Sequence, residues 1–325
     1  MKFVTTQALC KEGFALLEGQ ANVFVADNGD PTTYLHELKD ADAFIIRIGK
    51  IDRAVMDQLP GLKVIGRPGV GFETVDIVAA TEAGIPVVIT PGVNNLSVAE
   101  HTIAMMLALS KDLVESHIET QKGNFSSIRR RGKYFEVFGK KVGIIGLGAI
   151  GADTARLCRA LGMETLGYDP FLSKEKIEAL GCVHYENYEK MLRDCDFLTL
   201  HVPFLETTRN MITKKHLETM KRTAVVINCS RGGIINEADL VDALENEIIA
   251  AAGIDVFITE PPEPDDPLLK AKNILISPHS AAQTREALVG MHTNCVEGCL
   301  AVLRGEKYPH VANSDVYKHP KWNNK

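Results

Sequence analysis

The chain has 325 residues, enough for two domains at roughly 100 to 200 residues each, and either half could bury a core without disulfides or metals. Hydrophobic residues are 45% of the chain and charged residues 24%, a mixture that belongs to a globular protein and excludes a disordered or membrane-embedded one. Lys and Arg number 36 against 42 Asp and Glu, a net charge of -6, so no strong basic field exists to hold nucleic acid or an anionic membrane surface.

The first ten residues carry no charged leader followed by an apolar stretch and a cleavage site, so no secretory signal is expected. No apolar run reaches the roughly 18 residues of a membrane span, and a cytoplasmic location is the default. The seven cysteines are an odd number without a Cys-x-x-Cys pair. They lie mostly in apolar runs, as Cys158 and Cys229 do, and are expected to be reduced and buried. No metal-binding cluster is expected.

Short apolar runs bounded by Gly, Pro or Asp alternate with helical patterns, which predicts parallel sheets with helices on their faces. In the first third the predicted strands are Lys2 to Thr5, Val23 to Ala26, Ala43 to Ile46, Lys63 to Gly66 and Val87 to Ile89. Helical patterns lie between them at Asp52 to Leu59 and Val75 to Ala83. A longer helix is predicted over Ser97 to Glu115, with Ser97 as N-cap and Glu100 as its capping-box partner. Arg129, Arg130, Arg131 and Lys133 follow a turn-like segment and read as a solvated loop.

A second alternation has strands at Lys141 to Ile145, Glu164 to Tyr168, Phe197 to His201, Ala224 to Asn228, Ala251 to Asp255 and Ile274 to Ser277. These runs are apolar on both faces, as buried parallel strands are. A last helix is predicted over Arg285 to Leu303, ending at Gly305, and the polar tail from Asn313 to Lys325 is expected to be peripheral and weakly ordered.

The strand at Lys141 to Ile145 runs into Gly146, Leu147, Gly148, Ala149, Ile150, Gly151 and then a helical pattern. Glycine triplets also occur in ordinary turns, and an aspartate can merely cap a strand. Here the triplet follows a strand and opens a helix, and Asp169 ends the next strand about 20 residues on, which completes a dinucleotide-binding fingerprint. Gly146 suits the tight turn, Gly148 the approach of backbone to a pyrophosphate, and Gly151 the packing of helix on sheet. The helix N-terminus offers unpaired N–H groups to phosphate. Asp169 would accept hydrogen bonds from ribose hydroxyls and repel a 2'-phosphate, which favours NAD over NADP.

Three polar residues each follow a later strand, at the edge where open α/β sheets place ligands: Arg231, Glu260 and His279. Taken singly, the arginine reads as a surface ion-pair partner, the glutamate as solvated and the histidine as a structural hydrogen-bonder. The arginine's planar fork suits a carboxylate, and only the three together are persuasive.

In these segments, NCSRGGIIN, GIDVFITEPP and SPHSAA, the chain resembles the D-isomer-specific 2-hydroxyacid dehydrogenases, especially the phosphoglycerate dehydrogenase and hydroxypyruvate reductase members, over roughly residues 43 to 313. The resemblance implies that Arg231 binds the substrate carboxylate and polarises its carbonyl, that His279 is the acid/base and that Glu260 orients it. It implies a nicotinamide contact for Asp255 and a cofactor lining at Val70, Ala149, Ile150, Val202, Pro203, Cys229 and Ser230. The turn Gly66 to Gly71, with Val70 and Gly71, matches a loop whose backbone N–H groups hold a substrate carboxylate. Arg47 matches an arginine used for anionic substrates, and Asn94 falls in the similar segment PGVNNLSVAE. Arg47 could equally pair with a surface acid. The chain stops soon after Asn313, so a C-terminal regulatory domain and serine feedback are not expected.

The resulting expectation is an α/β protein of two doubly wound parallel-sheet domains. A Rossmann NAD-binding domain, residues 99–287, is inserted into a discontinuous flavodoxin-like substrate domain, residues 1–98 plus 288–325, with catalysis in the cleft between them. The resemblance also implies a homodimer acting on a small 2-hydroxy or 2-oxo acid, without nucleic-acid or membrane partners. The alternatives are an NAD-sensing protein like the family's transcriptional corepressors, or a formate- or phosphite-type dehydrogenase.

Overall fold

The structure, a computed structural model, describes residues 1–132 and 134–323. Lys133 of the basic cluster and the last two residues of the tail lie outside the described residues. The chain forms two compact α/β units, Met1–Asn94 with Gln283–Lys325 and Asn95–Ala282.

The first unit is built on strands β1 (Lys2–Thr5), β2 (Asn22–Val25), β3 (Ala43–Ile45), β4 (Val64–Arg67) and β5 (Val87–Ile89), all parallel, in the order β2-β1-β3-β4-β5. That is the flavodoxin-like order, whose ligand crevice lies where the chain's direction of travel reverses, between β1 and β3. Alternate residues feed two cores: Val4, Phe44, Ile65 and Val87 one face, Phe3, Ala43, Ile45, Val64 and Val88 the other. The second face is covered by the helix Arg285–Leu303. It starts where Thr284 accepts a hydrogen bond from the Ala287 N–H, and it is followed by Gly305 with φ +88°. A Cβ on Gly66 would lie 2.6 Å from Cys295 Sγ, so the bare strand backbone lets this helix sit close.

The tail is not peripheral. Asn313 is buried because its carboxamide accepts from the Val87 N–H at 2.8 Å and donates to the Ile85 carbonyl at 2.9 Å. Trp322 is also buried and donates its indole N–H to the Gly84 carbonyl. Polarity suggested a loose end, but a polar side chain whose hydrogen bonds are met can be part of a core.

The second unit carries β6 (Lys141–Ile145), β7 (Glu164–Tyr168), β8 (Val183–His184), β9 (Phe197–Leu200), β10 (Val225–Asn228), β11 (Ala251–Ile254) and β12 (Ile274–Ile276). Their order is β12-β11-β10-β9-β6-β7-β8, again all parallel, with the reversal between β6 and β9. This is the doubly wound order that binds dinucleotides. Strands β9 and β10 are buried throughout, as their unbroken apolar runs require.

Two predicted helix features need correction. The helix expected from Ser97 begins at Asn95, so Ser97 lies inside the first turn and is not its N-cap. It also stops at Ser110: Asp112 takes a left-handed φ of +46°, and a separate helix, Leu113–Gln121, follows. The apolar periodicity marks which residues face the core, and the first turn of a helix needs none of them. Arg129 ends a short helix, Phe125–Arg129, and Arg131 pairs with Glu115 at 3.3 Å. No helix among the described residues is long and apolar enough to cross a membrane. All seven cysteines are free thiols.

Candidate active site

Strands β10, β11 and β12 are neighbours, so the segments leaving their carboxyl ends lie side by side although they are far apart in sequence. These segments carry Arg231, Asp255 with Glu260, and His279, all in the second unit.

After β10, the buried Asn228 folds the loop back on itself. Its Oδ1 accepts from the Ser230 N–H and hydroxyl, and its Nδ2 donates to the Arg231 carbonyl. Gly232 then passes so near the next loop that a Cβ there would stand 2.1 Å from the Phe257 carbonyl. The Arg231 segment is thus pressed against the chain that carries Glu260. The guanidinium itself donates to the Ser230 carbonyl at 2.7 Å.

His279 Nδ1 lies 2.6 Å from Glu260 Oε2, while Glu260 Oε1 accepts from the Phe257 N–H at 3.0 Å. Burial pushes the Glu260 carboxyl up, but the His279 hydrogen bond, the Phe257 amide and the His279 and Arg231 charges outweigh it and hold the group below the ordinary glutamate range. An ionised carboxylate accepts only, so Nδ1 carries the proton in the neutral ring and Nε2 keeps its lone pair.

The His279 backbone is left-handed, φ +50°, which costs a non-glycine residue about 1 kcal/mol or more. Asp255 holds it there. The Asp255 carbonyl accepts from the His279 N–H at 2.8 Å, and its fully buried carboxylate accepts from the Ser280 and Ala281 amides and from the Ser277 hydroxyl. His101 Nε2 meets the same hydroxyl at 3.0 Å. His101 is a residue that sequence reasoning missed, because it sits unremarkably within the periodicity of a helix.

The glycine motif occupies the reversal point between β6 and β9. Gly146 has φ +88°, and a Cβ on it would lie 2.5 Å from the His201 carbonyl oxygen. Gly151 stands over the loop, where a Cβ would be 2.0 Å from the Gly146 oxygen. Gly148 faces open space, and the helix Ala149–Ala160 starts there with no side chain from its N-cap. A bare backbone turn and an uncapped helix N-terminus fit a pyrophosphate. Asp169 closes β7; one of its oxygens accepts from the Leu147 N–H at 2.8 Å and the other from the Phe171 N–H at 2.9 Å. Each oxygen retains a lone pair that a ribose hydroxyl could use.

Around this turn, Ala149 is exposed and Ile150 half-buried, while Val202 is half-buried and Pro203 exposed beyond β9. Cys229 is buried against Met105, and burial pushes its thiol up to about 12, which makes it a packing residue and not a nucleophile. Among the described residues no group of three or more His, Cys, Asp or Glu could hold a metal ion.

Arg47, Val70, Gly71 and Asn94 belong to the first unit, beyond the carboxyl ends of β3, β4 and β5. The Gly69 N–H already donates to the Thr90 hydroxyl at 2.7 Å, so of the expected amide nest Val70 and Gly71 are the members to consider. Val70 is exposed. The Asn94 Oδ1 is buried without a hydrogen-bond partner.

Residues 103–281 match the family described as D-isomer specific 2-hydroxyacid dehydrogenase, NAD binding domain. Over 314 residues the chain is 39% identical to a D-3-phosphoglycerate dehydrogenase of Methanocaldococcus jannaschii, covering 96% of this chain and 59% of that protein. It is 36% identical to a glyoxylate reductase of Korarchaeum cryptofilum, covering 87% of this chain and 86% of that one. Among solved structures, the TT0316 protein of Thermus thermophilus superposes with a TM-score of 0.89 at 30% identity, covering 96% of this chain and 100% of that chain. The chain spans about half the length of the phosphoglycerate dehydrogenases it matches.

Proposed function

Because the chain belongs to the D-isomer specific 2-hydroxyacid dehydrogenase family, we propose that it passes a hydride between NAD and a small 2-hydroxy or 2-oxo acid. The observation that carries this reading is the 2.6 Å pair of His279 and Glu260, beside Arg231 and in the same unit as the glycine cradle. Bound NAD supplies the two-electron acceptor, and NADH the donor, at the nicotinamide ring.

The protein's own part is proton transfer and charge. Nε2 of His279 takes the hydroxyl proton when the 2-hydroxy acid is oxidised and returns a proton to the carbonyl oxygen in the reverse direction. Glu260 keeps the ring in the tautomer that leaves Nε2 available. Arg231 offsets negative charge gathering on that oxygen and holds the neighbouring carboxylate with its fork. In the first unit, the amides of Val70 and Gly71 would hold a substrate carboxylate, and Asn94 is a further substrate contact of that unit. For Asp255 the reading is positional: with its oxygens engaged by residues 277, 280 and 281, it keeps His279 in its left-handed conformation.

Gly146, Gly148, Ala149, Ile150 and Gly151 hold the pyrophosphate, and Asp169 the adenosine ribose, with NAD favoured over NADP. Val202, Pro203, Cys229 and Ser230 line the nucleotide through backbone and packing. The names of the relatives support a phosphoglycerate- or hydroxypyruvate-type acid. A homodimer in the cytoplasm completes the reading; seven free thiols suit a reducing compartment.

The experiment is NADH oxidation against phosphohydroxypyruvate, hydroxypyruvate, glyoxylate, pyruvate and branched 2-oxo acids. His279→Ala should lower kcat by about 100- to 10,000-fold while NADH binds within twofold of the parent. Undiminished turnover in that variant removes His279 from the chemistry.

A further inference from the structure

The reversal point of the first sheet, between β1 and β3, is built from side chains. Thr6 leaves β1, and its hydroxyl accepts from the N–H of Arg47 at 2.9 Å and of Ile48 at 3.2 Å, tying together the segments that leave the two strands. His292 enters from the helix Arg285–Leu303 and is only 5% exposed. Its Nδ1 accepts a hydrogen bond from the Cys10 N–H at 2.8 Å.

That one bond fixes the ring's protonation. A backbone N–H can only donate, so Nδ1 is bare and the proton of the neutral imidazole sits on Nε2. Nε2 in turn stands 3.3 Å from Nη1 of Arg47, and guanidinium nitrogens also only donate. The two groups are therefore not hydrogen-bonded to each other. They are two N–H donors converging on one region, at the place where a sheet of this order binds ligands. Burial and the Arg47 charge keep His292 neutral, with its imidazole pushed down to about 4.

The resemblance already assigns Arg47 to an anionic substrate; we propose that His292 joins it as a second donor, the pair gripping a second anionic group, phosphate or carboxylate, at the far end of a 2-oxo acid. An oxyanion placed between the two would accept from both and remove the mismatch. The inference rests on the reading above that a 2-oxo acid is the substrate. The Val70 and Gly71 amides follow β4, the strand next to β3, so their segment and the Arg47 segment leave the same edge of the sheet as neighbours. His292 would then be a specificity-determining residue, separated by 245 positions from the arginine it works with.

Two substitutions test it. His292→Asn offers an acceptor near the Nδ1 position for the Cys10 amide but loses the Nε2 donor, whereas His292→Gln puts an amide donor near the Nε2 position. In NADH-oxidation assays, His292→Asn should raise KM for phosphohydroxypyruvate at least tenfold, with kcat within twofold and the KM for hydroxypyruvate unchanged. His292→Gln should recover part of that loss. Equal changes for both acids, or no change for either, would overturn the proposal in favour of a packing role.

A measurement on the unmutated chain does not depend on turnover. Titration with inorganic phosphate should shift the His292 imidazole nitrogen resonances, and chloride at equal ionic strength should not. An unmoved imidazole refutes the anion site. If no 2-oxo acid is reduced but phosphate still moves His292, the hydride-transfer reading has failed and the anion site has not.

Discussion

The two sheets reverse direction at points made of different material. In the second unit the crevice between β6 and β9 is walled by backbone: Gly146 and Gly151 approach carbonyl oxygens so closely that a Cβ on either would overlap them. In the first unit the crevice between β1 and β3 is walled by Thr6, Arg47 and His292. Backbone amides and a helix N-terminus recognise what every dinucleotide shares, its pyrophosphate. Side chains of fixed donor count recognise one arrangement of charge, which is how a site tells one small acid from another. On the proposals above, the same topological device would serve a general ligand in one unit and a particular one in the other.

The comparison would break first at Gly151. Gly151→Ala sets a methyl 2.0 Å from the Gly146 oxygen, and both partners are backbone, so neither can turn aside. We expect a loss of about 3 kcal/mol or more from the second unit, seen in urea or thermal unfolding, with NADH binding reduced in parallel. A variant as stable as the parent would mean that the loop and helix can separate at little cost. The crevice would then not be the rigid backbone wall described above.

A smaller effect probes the side-chain crevice by pH. Burial and the Arg47 charge push His292 down to about 4, against an ordinary histidine value of 6.5. Between those values the unfolded chain takes up a proton that the folded chain does not. Stability therefore falls as the pH drops from about 6.5 to 4, by up to about 3 kcal/mol for this residue. His201, beside the second crevice, is likewise pushed down to about 4 by burial and leaves its own slope in any variant. Urea unfolding at pH 7, 5.5 and 4.5 should give a shallower pH dependence for His292→Asn than for the parent. Parallel profiles would mean that His292 does not stay neutral in the fold.

The difference in material also explains what could be read from the sequence. The glycine cradle is spelled within six consecutive positions, and the strands from β6 onward were placed to within about one residue, because buried parallel strands are unbroken apolar runs. Strand β8 leaves no such run: it has two residues, and Val183 is more than half exposed. Arg231, Glu260 and His279 stand out because each lies in the segment that leaves a strand, and β10, β11 and β12 being neighbours sets those segments side by side. His101 and His292 do not. Each lies inside a helix, and its partners come from distant parts of the chain, Ser277 for one and Cys10 with Arg47 for the other. The buried tail is illegible for a related reason, since the hydrogen bonds that let Asn313 enter the core lead to residues more than 200 positions away.

The smallest effect on stability, and the sharpest test of the backbone cradle, belongs to Gly148. Nothing in the protein lies within 4 Å of a Cβ placed there, and the backbone, φ -63° and ψ -166°, is extended and open to any residue. Gly148→Ala should gain a few tenths of a kcal/mol by restricting the unfolded chain and lose about as much as a poorer N-cap, leaving the melting temperature nearly unchanged. The new methyl would nevertheless stand where a pyrophosphate must approach the helix N-terminus, and a tenfold or greater rise in the NADH dissociation constant is expected from fluorescence titration. If affinity and stability were both unchanged, the open side of Gly148 would not face the nucleotide. The cradle would then have to be sought elsewhere on the β6 to β9 edge.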